Sequence, residues 1–476
     1  MTEVRAPAPP SRLDRLAARL VAPRDAAALA VFRFLFGALG FVSALRFQAY
    51  GWVDELFVEP RFFFHYWGAG WAPPPGREGA HALFVALTLV SACVALGLFY
   101  RAAIVLFFLG FTYVQLIDVT NYLNHYYLVS LLALLMALMP LHGAWSLDAL
   151  LFPRIRRATL PAWCAYLLRF QVAIVYTFAG IAKLSQDWLV HAQPLTIWLS
   201  ARTGTPVIGL LFAAPWAAHA MSWAGCLFDL TIAGWLLLPR TRPVAYATVI
   251  AFHALTWALF PIGMFPAIMV VGATVFFSPS WPRRLLPRWL SAPAPPAPPT
   301  APAPSRWLRP ALAAAGAYAV LQLLLPLRAH RYEGNVHWHE QGMRFSWRVM
   351  VREKNASVTY RVTSPATGRV VEVNPRDYLT ARQEREFAAQ PDLILQLAHR
   401  IADDVSAREG ARPVIQVDAI ASLNGRLSAR LIDPEVDLAR VPDSLSPAAW
   451  ILPAPSDPPL RLRPIAWKLA SYPDSR

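Results

Sequence analysis

Residues 162–183 read AWCAYLLRFQVAIVYTFAGIAK, an apolar run that ends on a lysine. As a helix it spans about 33 Å, enough to cross the roughly 30 Å hydrocarbon layer of a bilayer. Similar runs occur at about 26–47, 81–100, 102–120, 124–141, 218–238, 243–260, 262–278 and 310–327. With 56% hydrophobic and 15% charged residues in the 476-residue chain, the expected fold is an all-α polytopic membrane bundle. It has eight or nine transmembrane helices and carries a small C-terminal α+β extramembrane domain.

The formal charge of +15 does not point to nucleic acid, because the arginines fall in short loops beside the spans. Threading the spans alternately collects Arg101, Arg154, Arg156, Arg157, Arg240, Arg242, Arg283, Arg284 and Arg288 on the side of the N-terminus, which is then cytoplasmic. The opposite, extracytoplasmic side receives the aromatic loop 48–80, the Asn121–Tyr127 turn, the end of the span bearing Lys183, and all residues after 328. The first run, 26–47, contains Arg33 and lacks a small-residue cleavage site, so it reads as a retained span. Residues 1–25 form a cytoplasmic segment and 26–290 the transmembrane domain. The proline-alanine tract SAPAPPAPPTAPAPS, 291–305, reads as an extended linker, followed by a last span at 306–327 and an outer domain at 328–476. In that domain RFSWRVMV, SVTYRVT, GRVVEV and PVIQVDAI alternate as strands do, and Tyr378–Arg408 reads as helix. No internal repeat is evident. Cys93, Cys164 and Cys226 lie in spans, so none is placed to join extramembrane loops.

The chain takes its positive charge almost wholly from arginine. Of 44 basic residues only Lys183, Lys354 and Lys468 are lysines. Arginine keeps its proton at ordinary pH, whereas an amine in a dry pocket can lose it and take a proton from a weak acid such as a quinol hydroxyl. Lys183 is therefore a candidate catalyst, although a lysine at a helix end also snorkels to the interface. Asn124 and His125 open an outer span end, suited to orienting a ring oxygen or to capping a helix. His253 is deeper, either in a site or hydrogen-bonded between helices. The PIGMF run, Pro261–Phe265, breaks the backbone between two spans, at a cavity or a tight hairpin. Asp118, Asp229 and Arg33 are intramembrane charges whose ordinary explanation is pairing between helices.

Several chemistries lack their motifs. There is no HExxH, CxxC, GxSxG, Walker loop or GxGxxG after a strand, and His337 and His339 alone make a poor metal site, so no metal is expected. A non-enzymatic transporter or scaffold is the rival class, but paired broken helices in two halves are not seen.

Six ordered motifs resemble the vitamin K-dependent gamma-glutamyl carboxylase, or HTTM, family, in a short, bacterial-type form. They are NHYYLVSLLALL through Trp145–Asp148, the Arg169-x-Gln-x-x-Ile-Val-Tyr176 run, AGIAKLSQDW ending at Trp188, Phe252–His253, Ile262–Phe265 and Ser280–Arg283. The likeness covers most of 26–285 and, more loosely, the SWRVMV and NPRDYLTARQ region. It implies that Lys183 deprotonates a reduced vitamin K-type naphthoquinol (menaquinol or phylloquinol) and that O2 adds. A strongly basic alkoxide arises on the way to the quinone epoxide. That base removes a glutamate γ-proton, and the carbanion captures CO2. The enzyme implied is a vitamin K hydroquinone epoxidase and peptidyl-glutamate carboxylase. Lys183, His125 and His253 are the catalytic residues by this likeness, and Asn124, Arg169, Tyr176, Trp188 and Met264 bind the quinol. The partners implied are membrane lipid, quinol and a peptide or protein glutamate on the outer face. Arg352 stands where eukaryotic members carry a histidine linked to the glutamate half, leaving epoxidation alone as the narrower reading. Its guanidinium suits a carboxylate substrate.

Overall fold

In the computed structural model, which describes residues 12–285 and 308–460, a helical bundle carries an α+β unit at one end. The bundle helices are α1 (Ala27–Ala49), α2 (Gly76–Leu96), α3 (Tyr100–Ile117), α4 (Asn124–Leu138), α5 (Ala162–Ala182), α6 (Pro215–Leu237), α7 (Arg242–Leu259), α8 (Phe265–Ala273) and α9 (Leu308–Leu327). The tract 291–305 and Lys468 lie outside the described residues.

Six helices, α1, α2, α3, α5, α6 and α9, are long and apolar enough to span a membrane. Leu89, Leu109, Leu227 and Trp235 leave more than half of their surface exposed. Water would disfavour such faces, whereas acyl chains solvate them. The chain is an integral, multi-pass membrane protein. The sequence expectation of eight or nine spans is met by six among the described residues, for three physical reasons. Helix α4 has 15 residues, about 22 Å, too short for the hydrocarbon layer. Helix α8 has nine residues before a 3-10 turn, because the Pro261–Met264 turn consumes the start of that apolar run. Helix α7 is long enough but carries Arg242, Thr248, His253 and Thr256 among its apolar residues.

Small residues bring the helices together. A Cβ on Gly37 would lie 2.3 Å from the Ala95 backbone, and one on Gly180 would lie 2.8 Å from the Leu230 nitrogen, so α1–α2 and α5–α6 pack backbone to backbone. Strand Pro23–Asp25 pairs with Thr159–Pro161, so α1 and α5 start side by side. Near that end Arg33 is buried. It donates to the carbonyls of Leu141 at 2.8 Å, Ala144 at 3.2 Å and Trp145 at 2.6 Å, plus a longer bond to Ala95. The expectation for Arg33 is pairing between helices. The observed partners are the free carbonyls of helix ends and loops, which a five-donor guanidinium suits well.

The outer unit is a four-stranded antiparallel sheet in the order β2–β1–β3–β4, with β1 Lys354–Thr363, β2 Val370–Val373, β3 Val414–Leu423 and β4 Ala429–Arg430. Val358, Tyr360 and Val362 alternate inward with Ile415, Val417, Ala419 and Ala421, and the helix Pro391–Glu409 lays Leu393, Leu397, Ile401 and Val405 on that face. The helical stretch expected at 378–408 is two helices. The first, Ala381–Phe387, opens on a Thr380/Gln383 capping box, and Pro391 starts the second, which ends at Gly410 in the left-handed region. RFSWRVMV, expected as a strand, is irregular. Phe345, Trp347 and Met350 have φ of 62°, 57° and 54°, incompatible with extended pairing. Its apolar alternation serves packing, with Trp347 fully buried.

Bundle loops and outer unit form one interface. Phe64 stacks on Phe387 at 6.0 Å, Gln396 bonds the His65 backbone at both ends, and Gln383 donates to Asp118 at 2.8 Å. Asp118 also accepts from Thr120. Burial pushes its carboxyl up to about 6 even against these bonds.

Candidate active site

Lys183 caps the C-terminus of α5, its backbone N–H bonding to the Gly180 carbonyl. Its side chain turns inward, 5% exposed, and does not snorkel. Nζ donates to Asp229 Oδ2 at 2.7 Å and weakly to the Ala179 carbonyl at 3.4 Å, and lies 5.1 Å from the Trp188 ring centroid. Trp188 is fixed in turn by its indole N–H on the Ser222 carbonyl at 2.7 Å. Asp229 projects from α6, and Gly180 is what lets α6 come close enough. Sequence reading assigned Asp229 only to generic pairing. Nothing local marks it as the partner of a lysine 46 residues away.

The pair lines a cavity walled by Trp188, Trp198, Phe252, Phe260, Phe265 and Met269. Tyr176 and His253 line it too. The Tyr176 hydroxyl shares a 3.2 Å hydrogen bond with His253 Nε2, while His253 Nδ1 is buried with no partner among the described residues. An unpartnered imidazole nitrogen beside an amine, among aromatic rings, fits a flat aromatic molecule with oxygen at its edge.

Asn124 and His125 belong to a second, larger cavity, shared with Asn121, Arg46, Arg382 and Met264. Phe265 stands between the two. Its ring centroid is 5.9 Å from that of His125 and 5.6 Å from that of His253, and Phe265, Val349 and Met350 line both cavities. The PIGMF break is thus a turn that also forms the cavity wall. Met264 also lines an apolar cleft running along Phe36, Phe107, Phe111 and Tyr126. Asn124 accepts from the Tyr122 hydroxyl at 3.0 Å, and that hydroxyl accepts from Phe345 N–H at 2.7 Å. Arg46 and Arg382 have no acidic partner among the described residues. Arg46 lies over the Tyr50 and Trp52 rings, and Arg382 Nε is buried without a bond.

Two expected site residues are elsewhere. Arg169 is fourteen residues before Lys183 on α5, about 21 Å along the axis, and donates to the Val275 and Phe277 carbonyls at 2.7 and 3.0 Å. It lines neither cavity because a helix long enough to cross the bundle separates its own ends. Arg352 is ion-paired with Glu340, which Lys354 also approaches at 3.5 Å. Burial depresses Arg352 to about 10 and holds Lys354 well below the usual lysine range. His337 and His339 are buried, pushed down to about 3 and about 4 chiefly by burial, with nearby cations adding to it. Past Lys183, Asp187 accepts from Arg426 Nη1 and Nη2 at 2.9 and 2.6 Å and from Asn424 at 2.8 Å, tying the site to the outer unit.

The family model for the HTTM domain matches residues 21–281. The model described as vitamin K-dependent gamma-carboxylase, lumenal domain, matches residues 309–457. No solved structure matches the chain. The second match begins within α9 and takes in the outer unit. With the bundle and the outer unit each matched in turn, the chain belongs to the vitamin K-dependent gamma-carboxylase family.

Proposed function

We propose that the chain is a membrane enzyme that takes a reduced vitamin K-type naphthoquinone and dioxygen to the quinone epoxide, with Lys183 receiving the proton of a quinol hydroxyl. The base formed in this way serves γ-carboxylation of a glutamyl side chain with CO2. The observation that carries the reading is Lys183 Nζ, buried and hydrogen-bonded, at the wall of an aromatic cavity that also presents an unpartnered His253 nitrogen.

When bound, the quinol supplies the oxygen chemistry that turns a weak base into one strong enough for a γ-proton. The rest falls to side chains. Trp188, Phe260 and Phe265 exclude water and hold a planar ring system. Tyr176 fixes the imidazole of His253 so that Nδ1 faces a quinol oxygen. The larger cavity suits the second substrate. Arg46 and Arg382 have no acidic partner among the described residues, and with Asn124 and His125 they offer donors to a carboxylate. Arg352, occupied by Glu340, passes that role to them. A wall of Phe265, Val349 and Met350 between the chambers keeps the reactive centre dry while bringing the glutamyl γ-carbon near it.

The test is purified protein with reduced vitamin K and oxygen, assayed for quinone epoxide, and a glutamyl peptide with labelled CO2, assayed for fixed label. Lys183→Ala is expected to lower epoxide by about 100-fold or more, and Arg382→Ala to lower the ratio of fixed label to epoxide. Equal epoxide from wild type and Lys183→Ala overturns the reading.

A further inference from the structure

The partner of Lys183 raises a question of proton capacity. An amine acts as a base only where it has a vacancy for a proton. Nζ already donates to a carboxylate oxygen 2.7 Å away, an ion pair between two buried groups. The vacancy lies on the carboxylate. Among the described residues, every hydrogen bond to the Asp229 side chain comes from Lys183, so one carboxylate oxygen and the second lone pair of the other are uncommitted. Among the described residues no other acid lines this cavity.

We propose that Asp229 is the positioning residue that keeps the quinol proton, acting through Lys183. As Nζ takes the proton from a quinol hydroxyl, it hands one of its own to Asp229 Oδ2. The quinol O–H bond breaks, a carboxylic O–H bond forms, and the ammonium is the same before and after. No electrons change hands. The pair goes from neutral to a single positive charge, which offsets the negative charge left on the quinol oxygen. In a dry cavity that balance matters, because an uncompensated charge there is poorly solvated. The proposal rests on the reading of Lys183 as the group that receives the quinol proton, and it adds where that proton goes.

The experiment uses the full chain in detergent, without oxygen, titrated with reduced 2-methyl-1,4-naphthoquinone. Two signals are followed on the same sample: the near-ultraviolet change that marks loss of a quinol proton, and the infrared difference band of a newly protonated carboxylic acid. Wild type is expected to show both together. Asp229→Asn is expected to lose the carboxylic band, to slow quinol deprotonation by about 100-fold, and to keep the quinol dissociation constant within about threefold. Asp229→Glu should restore the band at a shifted frequency, which a merely structural role would not do. Deprotonation in wild type without a carboxylic band, or a band that persists in Asp229→Asn, overturns the assignment of Asp229. Absence of quinol deprotonation in wild type overturns the Lys183 reading beneath it. If Asp229→Asn does not fold, the wild-type band and its frequency shift in Asp229→Glu decide the matter.

Discussion

Arg426, at the end of the outer sheet, closes a two-point clamp on Asp187, four residues beyond Lys183, with bonds of 2.9 and 2.6 Å. Planar guanidinium and carboxylate match in such a fork, which fixes direction as well as distance. The segment that carries Lys183 out of α5 and presents Trp188 to the cavity is therefore held by the outer unit. Removing the C-terminal part of this chain would leave Asp187 and the loop around it without that anchor.

The clamp predicts a pH dependence of stability. Burial alone would push the Asp187 carboxyl up, but bonds from Arg426 and Asn424 and the Arg426 charge outweigh it and hold it below its ordinary value. A depressed carboxyl contributes stability that is complete above its unfolded value, about 3.9, and is lost as pH falls below that through the folded value. Thermal unfolding in detergent should show wild type losing stability in this acid window. Arg426→Ala should cost about 3 kcal/mol near neutrality and show less of the acid-dependent loss. An identical acid profile in both proteins would rule the clamp out as its source.

Gly180 sets the spacing of the two helices that bring Lys183 and Asp229 together. A methyl group there would sit 2.8 Å from the Leu230 backbone nitrogen and side chain, so α5 and α6 must part. A shift of about 1 Å at a reacting centre can cost about 100-fold in rate. Gly180→Ala is expected to lower epoxide formation by at least tenfold while the protein still inserts and purifies. Unchanged kinetics in that variant would mean that the Lys183–Asp229 contact does not depend on this close approach.

Arg33 holds loop and helix-end carbonyls at the end of the bundle remote from Lys183. Arg33→Met leaves those carbonyls buried and unbonded, at about 1–3 kcal/mol each, and should lower the melting temperature markedly. Arg33→Lys, with a point charge in place of a planar fork, should recover only part of the loss. Epoxide formed per folded molecule should stay near wild type. A melting temperature unaffected by Arg33→Met would show that water reaches these carbonyls.

Much of this protein is legible in the chain because hydropathy and charge are local properties. A 23-residue apolar segment such as Ala27–Ala49 has few alternatives to crossing lipid, and the alternation of SVTYRVT already describes β1. Lys183 stands out by contrast with its arginine-rich background alone. Tertiary packing decided the rest. The length of α4 and α8 depends on where turns interrupt an apolar run. RFSWRVMV carries a strand's pattern but lies as a wedge, because Val349 and Met350 line cavities. Arg169 shares a helix with Lys183 and still lies about 21 Å away along its axis. Asp229, Phe265 and Arg426 acquire their roles only when distant segments meet. Composition and periodicity report what each segment prefers as its solvent, while partners across helices are set by close approach at residues such as Gly180, a distance that no single stretch of sequence encodes.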